Sequence, residues 1–167
     1  MMTRKDREQE FRAFFETESD GLRRLGTFLT SDAEQGAEFA QEALVRVYKH
    51  WGRIKDQDPG PYARRVLVNL VRSDHRRKVV ARKHLTSVPD VVSSQSRHVD
   101  DWLRVSAALK TLPAMRRAAV VLRFYEDMPE AEIARVLDRP LGTIKSDIHR
   151  SLAKLRPLLD ETEKEAL

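Results

Sequence analysis

Residues 129–155 read PEAEIARVLDRPLGTIKSDIHRSLAKL, and the fold can be worked outward from them. The stretch parses into two short helices and a tight turn. Pro129 opens the first helix at a first-turn position, where a missing N–H costs nothing. Leu137 follows Ile133 by four residues and Ala134 by three, the spacing of one buried helix face. Asp138-Arg139-Pro140 forms the turn: Asp tolerates turn geometry, and Pro140 starts a helix without continuing the last one. The second helix is expected to bury Leu141, Ile144, Ile148, Leu152 and Leu155. At about 100° per residue, its opposite side carries Thr143, Ser146, His149, Arg150 and Lys154, with Lys145 on the flank. An outward face of hydroxyls and cations suits a helix lying in the DNA major groove, where Arg and Lys read guanine edges or hold phosphates. The competing reading is an ordinary helical hairpin with a solvated face. The short turn and the basic outward face weigh against it.

The chain has 167 residues, room for one domain or two small ones, and 41% hydrophobic residues to build cores. Its 34% charged residues suit small helical units with much surface, and its net charge of +5 makes a polyanionic partner plausible. There is no cysteine, which excludes disulfides, thiolate metal sites and cysteine nucleophiles. His50, His75, His84, His98 and His149 lack metal-ligand spacing, so neither a metal nor a cofactor is expected. No apolar run is long enough to cross a membrane, and the charged start MMTRKDREQEF is no signal peptide; a cytoplasmic protein is expected. The phosphate-binding glycine patterns and the serine-nucleophile pattern are absent, and nothing points to an enzyme. Few glycines and few β-branched alternations leave an all-α fold.

Working back to the start, a first helix is expected from about Asp6 to Leu29, striped by Phe11, Phe15, Leu22, Leu25 and Leu29, with Phe14 and Phe28 beside the stripe. Ser31-Asp32-Ala33-Glu34 has the form of a capping box, Ser31 at the cap. It opens a helix to about Trp51 that buries Ala40, Ala43, Leu44, Val47 and Trp51 and shows Glu38, Gln41, Glu42 and Lys49 outward. Gly52–Gly60 is expected to be a loop, with Pro61 starting a third helix whose inward residues are Ala63, Val66, Leu67 and Leu70. Arg65, Asn69, Arg72 and Arg76 share one face of that helix. Between Pro61 and Leu85 the cations Arg64, Arg65, Arg72, Arg76, Arg77, Lys78, Arg82 and Lys83 face a single acid, Asp74, a local charge of +7. So one-sided a run, with an amide in its midst, points to a nucleic-acid surface. Residues 86–100 lose periodicity and gain serine, as a linker does. Beyond them one helix is striped by Trp102, Val105, Leu109 and Leu112, and a second, after Pro113, by Met115, Ala118, Ala119, Leu122 and Tyr125.

Two helical units, each with a basic face, joined by a serine-rich linker, resemble the extracytoplasmic-function (group 4) sigma factors of the sigma-70 family, in their actinobacterial-type branch. The resemblance runs from about Phe11 to Arg156. Glu38-Phe39-Ala40-Gln41-Glu42 is similar to the family's region 2.2 signature. Tyr62 to Asn69, with Asp74-His75-Arg76-Arg77, resembles regions 2.3 and 2.4. Leu141-Gly142-Thr143-Ile144-Lys145-Ser146 resembles the start of the region 4.2 recognition helix. The resemblance implies sigma region 2 at residues 1–85, a linker at 86–100, sigma region 4 with a helix-turn-helix at 101–160, and an acidic tail at 161–167.

It implies a transcription initiation factor, monomeric when free, that binds core RNA polymerase and promoter DNA and is open to an anti-sigma factor. Glu38, Gln41 and Glu42 would dock on the clamp coiled coil of the β′ subunit, with the β subunit as a further contact. Arg65, Asn69, Arg72, Arg76 and Arg77 would hold the melted −10 strand, with the Gly52–Gly60 loop closing a base pocket. Thr143, Lys145, Ser146, His149, Arg150 and Lys154 would read the −35 element. The rival readings are a freestanding helix-turn-helix regulator, which leaves the basic N-terminal surface unexplained, and an all-helical adaptor that binds only proteins.

Overall fold

The computed structural model describes residues 3–82 and 97–160. All seven of its elements are α-helices: α1 (Arg4–Thr30), α2 (Ala33–Ile54), α3 (Pro59–Arg82), α4 (Arg97–Lys110), α5 (Ala114–Phe124), α6 (Glu130–Leu137) and α7 (Leu141–Asp160). They fall into two compact units, residues 1–71 and 72–167, so the division passes through α3. Among the described residues no helix is long and apolar enough to cross a membrane.

In the first unit α1 and α2 pack as a hairpin whose joint is only two residues long. Ser31 ends α1 in the left-handed conformation, and Asp32 caps α2 by accepting the Gln35 N–H at 3.0 Å. The cap expected at Ser31 is therefore shifted by one residue to Asp32, because Ser31 is spent on the C-terminal cap of α1. The hairpin closes tightly because both helices present glycine at the crossing. A Cβ added to Gly26 would lie 2.9 Å from the Gly36 carbonyl carbon, and one added to Gly36 would lie 2.6 Å from the Gly26 carbonyl carbon.

Leu22, Leu25 and Leu29 of α1 meet Ala40, Ala43, Leu44, Val47 and Trp51 of α2 in the core. The aromatic residues of α1 behave differently from the expected stripe. Phe28 is buried, Phe15 is 45% exposed, and Phe11 packs edge-on to Tyr48 and Trp51 at 4.9 and 5.3 Å between ring centres. α3 starts two residues earlier than expected, at Pro59, after Asp58 turns the chain at φ 54°. Its buried apolar side chains are Ala63, Leu67, Val68 and Val71, whereas Val66 and Leu70 are only half-buried. Arg64 anchors this face by donating to Glu18 at 3.0 Å.

In the second unit α4 begins at Arg97, inside the stretch expected as linker; residues 86–96 of that stretch, and the expected tail 161–167, lie outside the described residues. Arg117 of α5 is buried and donates to the Leu109 and Leu112 carbonyls, both at 3.0 Å, so a guanidinium satisfies carbonyls at the C-terminal end of α4 and in the turn after it. Burial lowers its pKa from the ordinary guanidinium value. Ile133 and Leu137 of α6 pack with Ile144, Ile148 and Leu155 of α7 and Leu122 of α5 as the core of this unit. Leu141 and Tyr125, expected inside, are 40% and 42% exposed. Pro157 lies within α7.

Candidate nucleic-acid interface

The turn between α6 and α7 is made by Asp138, Arg139 and Pro140. Asp138 takes the left-handed conformation, φ 54° and ψ 53°, and the Arg139 N–H donates to the Ala134 carbonyl at 2.9 Å. That is the role glycine usually fills at a helix end, performed here by a residue with a short polar side chain that tolerates it. Pro140 then supplies the carbonyl that accepts the Ile144 N–H at 3.1 Å, so α7 starts at once.

The inward side of α7 holds Ile144, Ile148 and Leu155 together with two residues the sequence pattern missed, Asp147 and Ser151, which are 5% and 1% exposed. The signal for them was present: both fall on the apolar arc of the helix. Asp147 accepts hydrogen bonds from Arg116 and Arg139, and Ser151 donates to the Asp147 carbonyl at 2.6 Å. On the outward side Thr143, Lys145, Ser146, His149 and Arg150 are all exposed. The Ser146 hydroxyl donates back to the Gly142 carbonyl at 2.9 Å, which leaves its oxygen able to accept from outside. Lys154 is set apart from them: its ammonium donates to the Thr111 carbonyl at 2.7 Å, at the edge of the outward face.

On α3 the expected basic face is not uniform. Arg65 and Asn69 are exposed and belong to the first unit. Arg72 and Arg76 belong to the second, where Arg72 donates to the Val136 carbonyl at 3.3 Å and Arg76 pairs with Asp138 at 3.4 Å. Arg77 is exposed and lies 3.7 Å from Asp74, which also pairs with Lys78 at 2.8 Å. Burial first, then the positive charges of Arg82 and Arg139, lower the His75 pKa from its ordinary value. The expected Gly52–Gly60 loop is largely helix: only Lys55 to Asp58 lie outside α2 and α3, and Lys55 is engaged by Glu10 at 3.3 Å. On α2, Glu38, Gln41 and Glu42 are exposed, and Glu42 pairs with Arg46 at 2.8 Å.

A short-turned helix pair with a polar, cationic outward face, in an all-helical chain whose third helix is rich in arginine, defines a helix-turn-helix DNA-binding protein. Comparison with known proteins narrows the class. Residues 5–79 match Sigma-70 region 2, and residues 102–155 match Sigma-70, region 4. The RNA polymerase sigma-E factor of Streptomyces avermitilis is 34% identical over 160 residues, covering 94% of this chain and 89% of that one. The ECF RNA polymerase sigma factor SigL of Mycobacterium tuberculosis is 29% identical over 157 residues, covering 90% and 89%. The sigma factor RpoE of Bartonella quintana, solved in complex with the anti-sigma factor NepR, shares the fold with a TM-score of 0.71 at 20% identity, covering 91% of this chain and 98% of that one. The chain belongs to the sigma-70 family of RNA polymerase sigma factors, among its extracytoplasmic-function members, and functions in transcription initiation.

Proposed function

We propose that the chain divides this work as follows. Residues 1–85 bind core polymerase and the melted −10 strand, residues 86–100 link, and residues 101–160 read the −35 element. The exposed arc Thr143, Lys145, Ser146, His149 and Arg150 enters the major groove, with Lys154 at its margin. Glu38, Gln41 and Glu42 meet the β′ clamp, and Arg65 and Asn69 meet the −10 strand, with Arg72, Arg76 and Arg77 available to phosphates once their present partners are exchanged. Two weak DNA modules held on one enzyme gain effective concentration, so neither needs to bind tightly alone. The protein carries out no chemistry of its own and acts in the cytoplasm, where polymerase and promoter meet.

The observation that carries this reading is the presence in one chain of both family regions, each with exposed cationic residues on the helix that would face DNA. A freestanding regulator needs only the second. The Bartonella quintana complex supports an anti-sigma partner as the means of control, masking these faces until released. The test is transcription in vitro from a genomic library by core polymerase with and without the chain. The expected result is a set of chain-dependent start sites sharing paired upstream elements; co-purification without core polymerase and no new starts would overturn it.

A further inference from the structure

The buried carboxylate of Asp147 is the centre of a three-part ion cluster. Its Oδ1 accepts from Arg116 Nε and its Oδ2 from Arg139 Nη1, each at 3.1 Å. Arg116 lies in the first turn of α5 and Arg139 in the turn before α7, so one side chain of α7 ties together three segments of the unit. Burying a carboxylate is costly, and an apolar residue of like size often serves stability as well or better. The cluster therefore calls for an explanation in what it holds outward. Asp147 is 7% exposed as a side chain, whereas Arg116 and Arg139 are each 37% exposed. A guanidinium has five donors in a rigid fork, and Asp147 takes one from each arginine. The cluster keeps one net positive charge, and it sits at the edge of α7 where Thr143 and Arg150 also emerge, about 40° and 60° around the helix from Asp147.

We propose that Arg116 and Arg139 grip DNA backbone phosphates along one edge of the groove entered by α7, and that Asp147 is the positioning residue that orients both. The ligand is a phosphodiester oxygen, so the grip is indifferent to base sequence, while the outward arc of α7 reads the bases. Holding the two forks in place beforehand reduces the entropy lost on gripping. The inference rests on the reading of α7 as the −35 helix.

The test uses full-length chain in holoenzyme, binding promoter fragments with an intact or a scrambled −35 element across a range of salt concentrations. Arg116→Gln and Arg139→Gln are each expected to weaken binding to both fragments equally and to lower the slope of log affinity against log salt by about 0.9. Asp147→Asn raises the net charge by one, so electrostatics alone would tighten binding. The cluster instead predicts weakening by about tenfold, again on both fragments and with a reduced slope. Unchanged slopes in the two arginine variants, or tighter binding by Asp147→Asn, would overturn the proposal. So would an altered base preference with unchanged slope, which is what a purely structural prop for α7 would give. If Asp147→Asn fails to fold, the two glutamine variants decide the phosphate grip, and Arg139→Lys decides positioning: it keeps the charge but loses the fork, and full affinity in it would overturn the oriented grip. Failure of the −35 reading itself is separate, because wild-type holoenzyme would then bind both fragments alike.

Discussion

Gly26 and Gly36 meet backbone to backbone where α1 crosses α2, so closely that a methyl group on either would overlap the other helix. Two effects of opposite sign act on a Gly→Ala change here. Alanine gains about 1 kcal/mol of helix propensity, but the atoms it strikes are backbone, which cannot swing aside as a side chain can. Overpacking of this kind costs about 1–3 kcal/mol, and with no side chain to yield, the upper end is expected to outweigh the gain. Gly26→Ala and Gly36→Ala should therefore lower stability by about 1–2 kcal/mol. Gly21→Ala, which meets nothing within 4 Å, should raise it by about 0.5–1 kcal/mol. Urea unfolding followed by Trp51 fluorescence, in a Trp102→Phe background, reads the first unit. Equal effects at all three sites would mean that the crossing is not the constraint.

Nothing in the hydrophobic pattern marks that crossing. The periodicity of α2 gives its five core residues correctly because all face one partner, α1. It does worse for α3, where Val68 and Val71 are buried in place of Val66 and Leu70, since the period specifies a face but not which neighbour covers it. Helix ends were misplaced for a related reason. Among the described residues the four with positive φ are Ser or Asp (Ser31, Asp58, Asp127 and Asp138) and none is glycine, so the usual punctuation is missing there. The exposed polar face of α7 was legible because amphipathic spacing alone separates it from the core. For Asp147 the pattern gave its place on the apolar arc but not its partners: a charge there makes sense only once Arg116, on α5, and Arg139, in the turn before α7, are seen to converge on it.

Polymerase docking is tested by charge reversal on α2. Glu38 and Glu42 are exposed, so Glu38→Lys and Glu42→Lys should leave stability within about 0.5 kcal/mol. Glu42→Lys additionally loses its pair with Arg46, an exposed helix pair worth about 0.3–0.5 kcal/mol. Affinity for core polymerase should fall on the order of tenfold in each, measured by competition against a labelled wild-type chain. Unchanged affinity in both would make the acidic patch a solvated helix face.

The proposed reading of −35 bases is tested at Arg150, exposed in the third turn of α7. Arg150→Ala is expected to cost about 1–3 kcal/mol on the preferred element and to relax preference at one position. Selection of −35 sequences from a randomised pool by variant and wild-type holoenzyme reads this directly. A uniform loss on all sequences would instead assign Arg150 to a phosphate.

Capture of a −10 base is tested at Asn69. A duplex hides base edges, so reading them in melted form requires an extruded base and hydrogen-bonding groups to receive it, against an unstacking cost of a few kcal/mol. Asn69 is exposed on α3, on the same unit as Arg65, and its amide both donates and accepts. The segment Lys55 to Asp58 precedes α3, and Asn69 lies ten residues beyond Pro59, roughly 15 Å along the helix at 1.5 Å per residue. A four-residue connection tied to the start of α3 does not reach that far, so the two places are expected to act on different nucleotides and to separate by mutation. Asn69→Ala is expected to change the preferred −10 sequence and to slow open-complex formation on duplex promoters by about tenfold, with less effect on pre-melted templates. Replacing Lys55–Asp58 with a neutral turn should shift preference at another position. Binding to −35 DNA should be unchanged in both. Permanganate footprinting and opening rates on the two kinds of template supply the measurement. Equal slowing on duplex and pre-melted DNA with unchanged base preference would remove Asn69 from the capture site and leave Arg65 as a phosphate contact beside it.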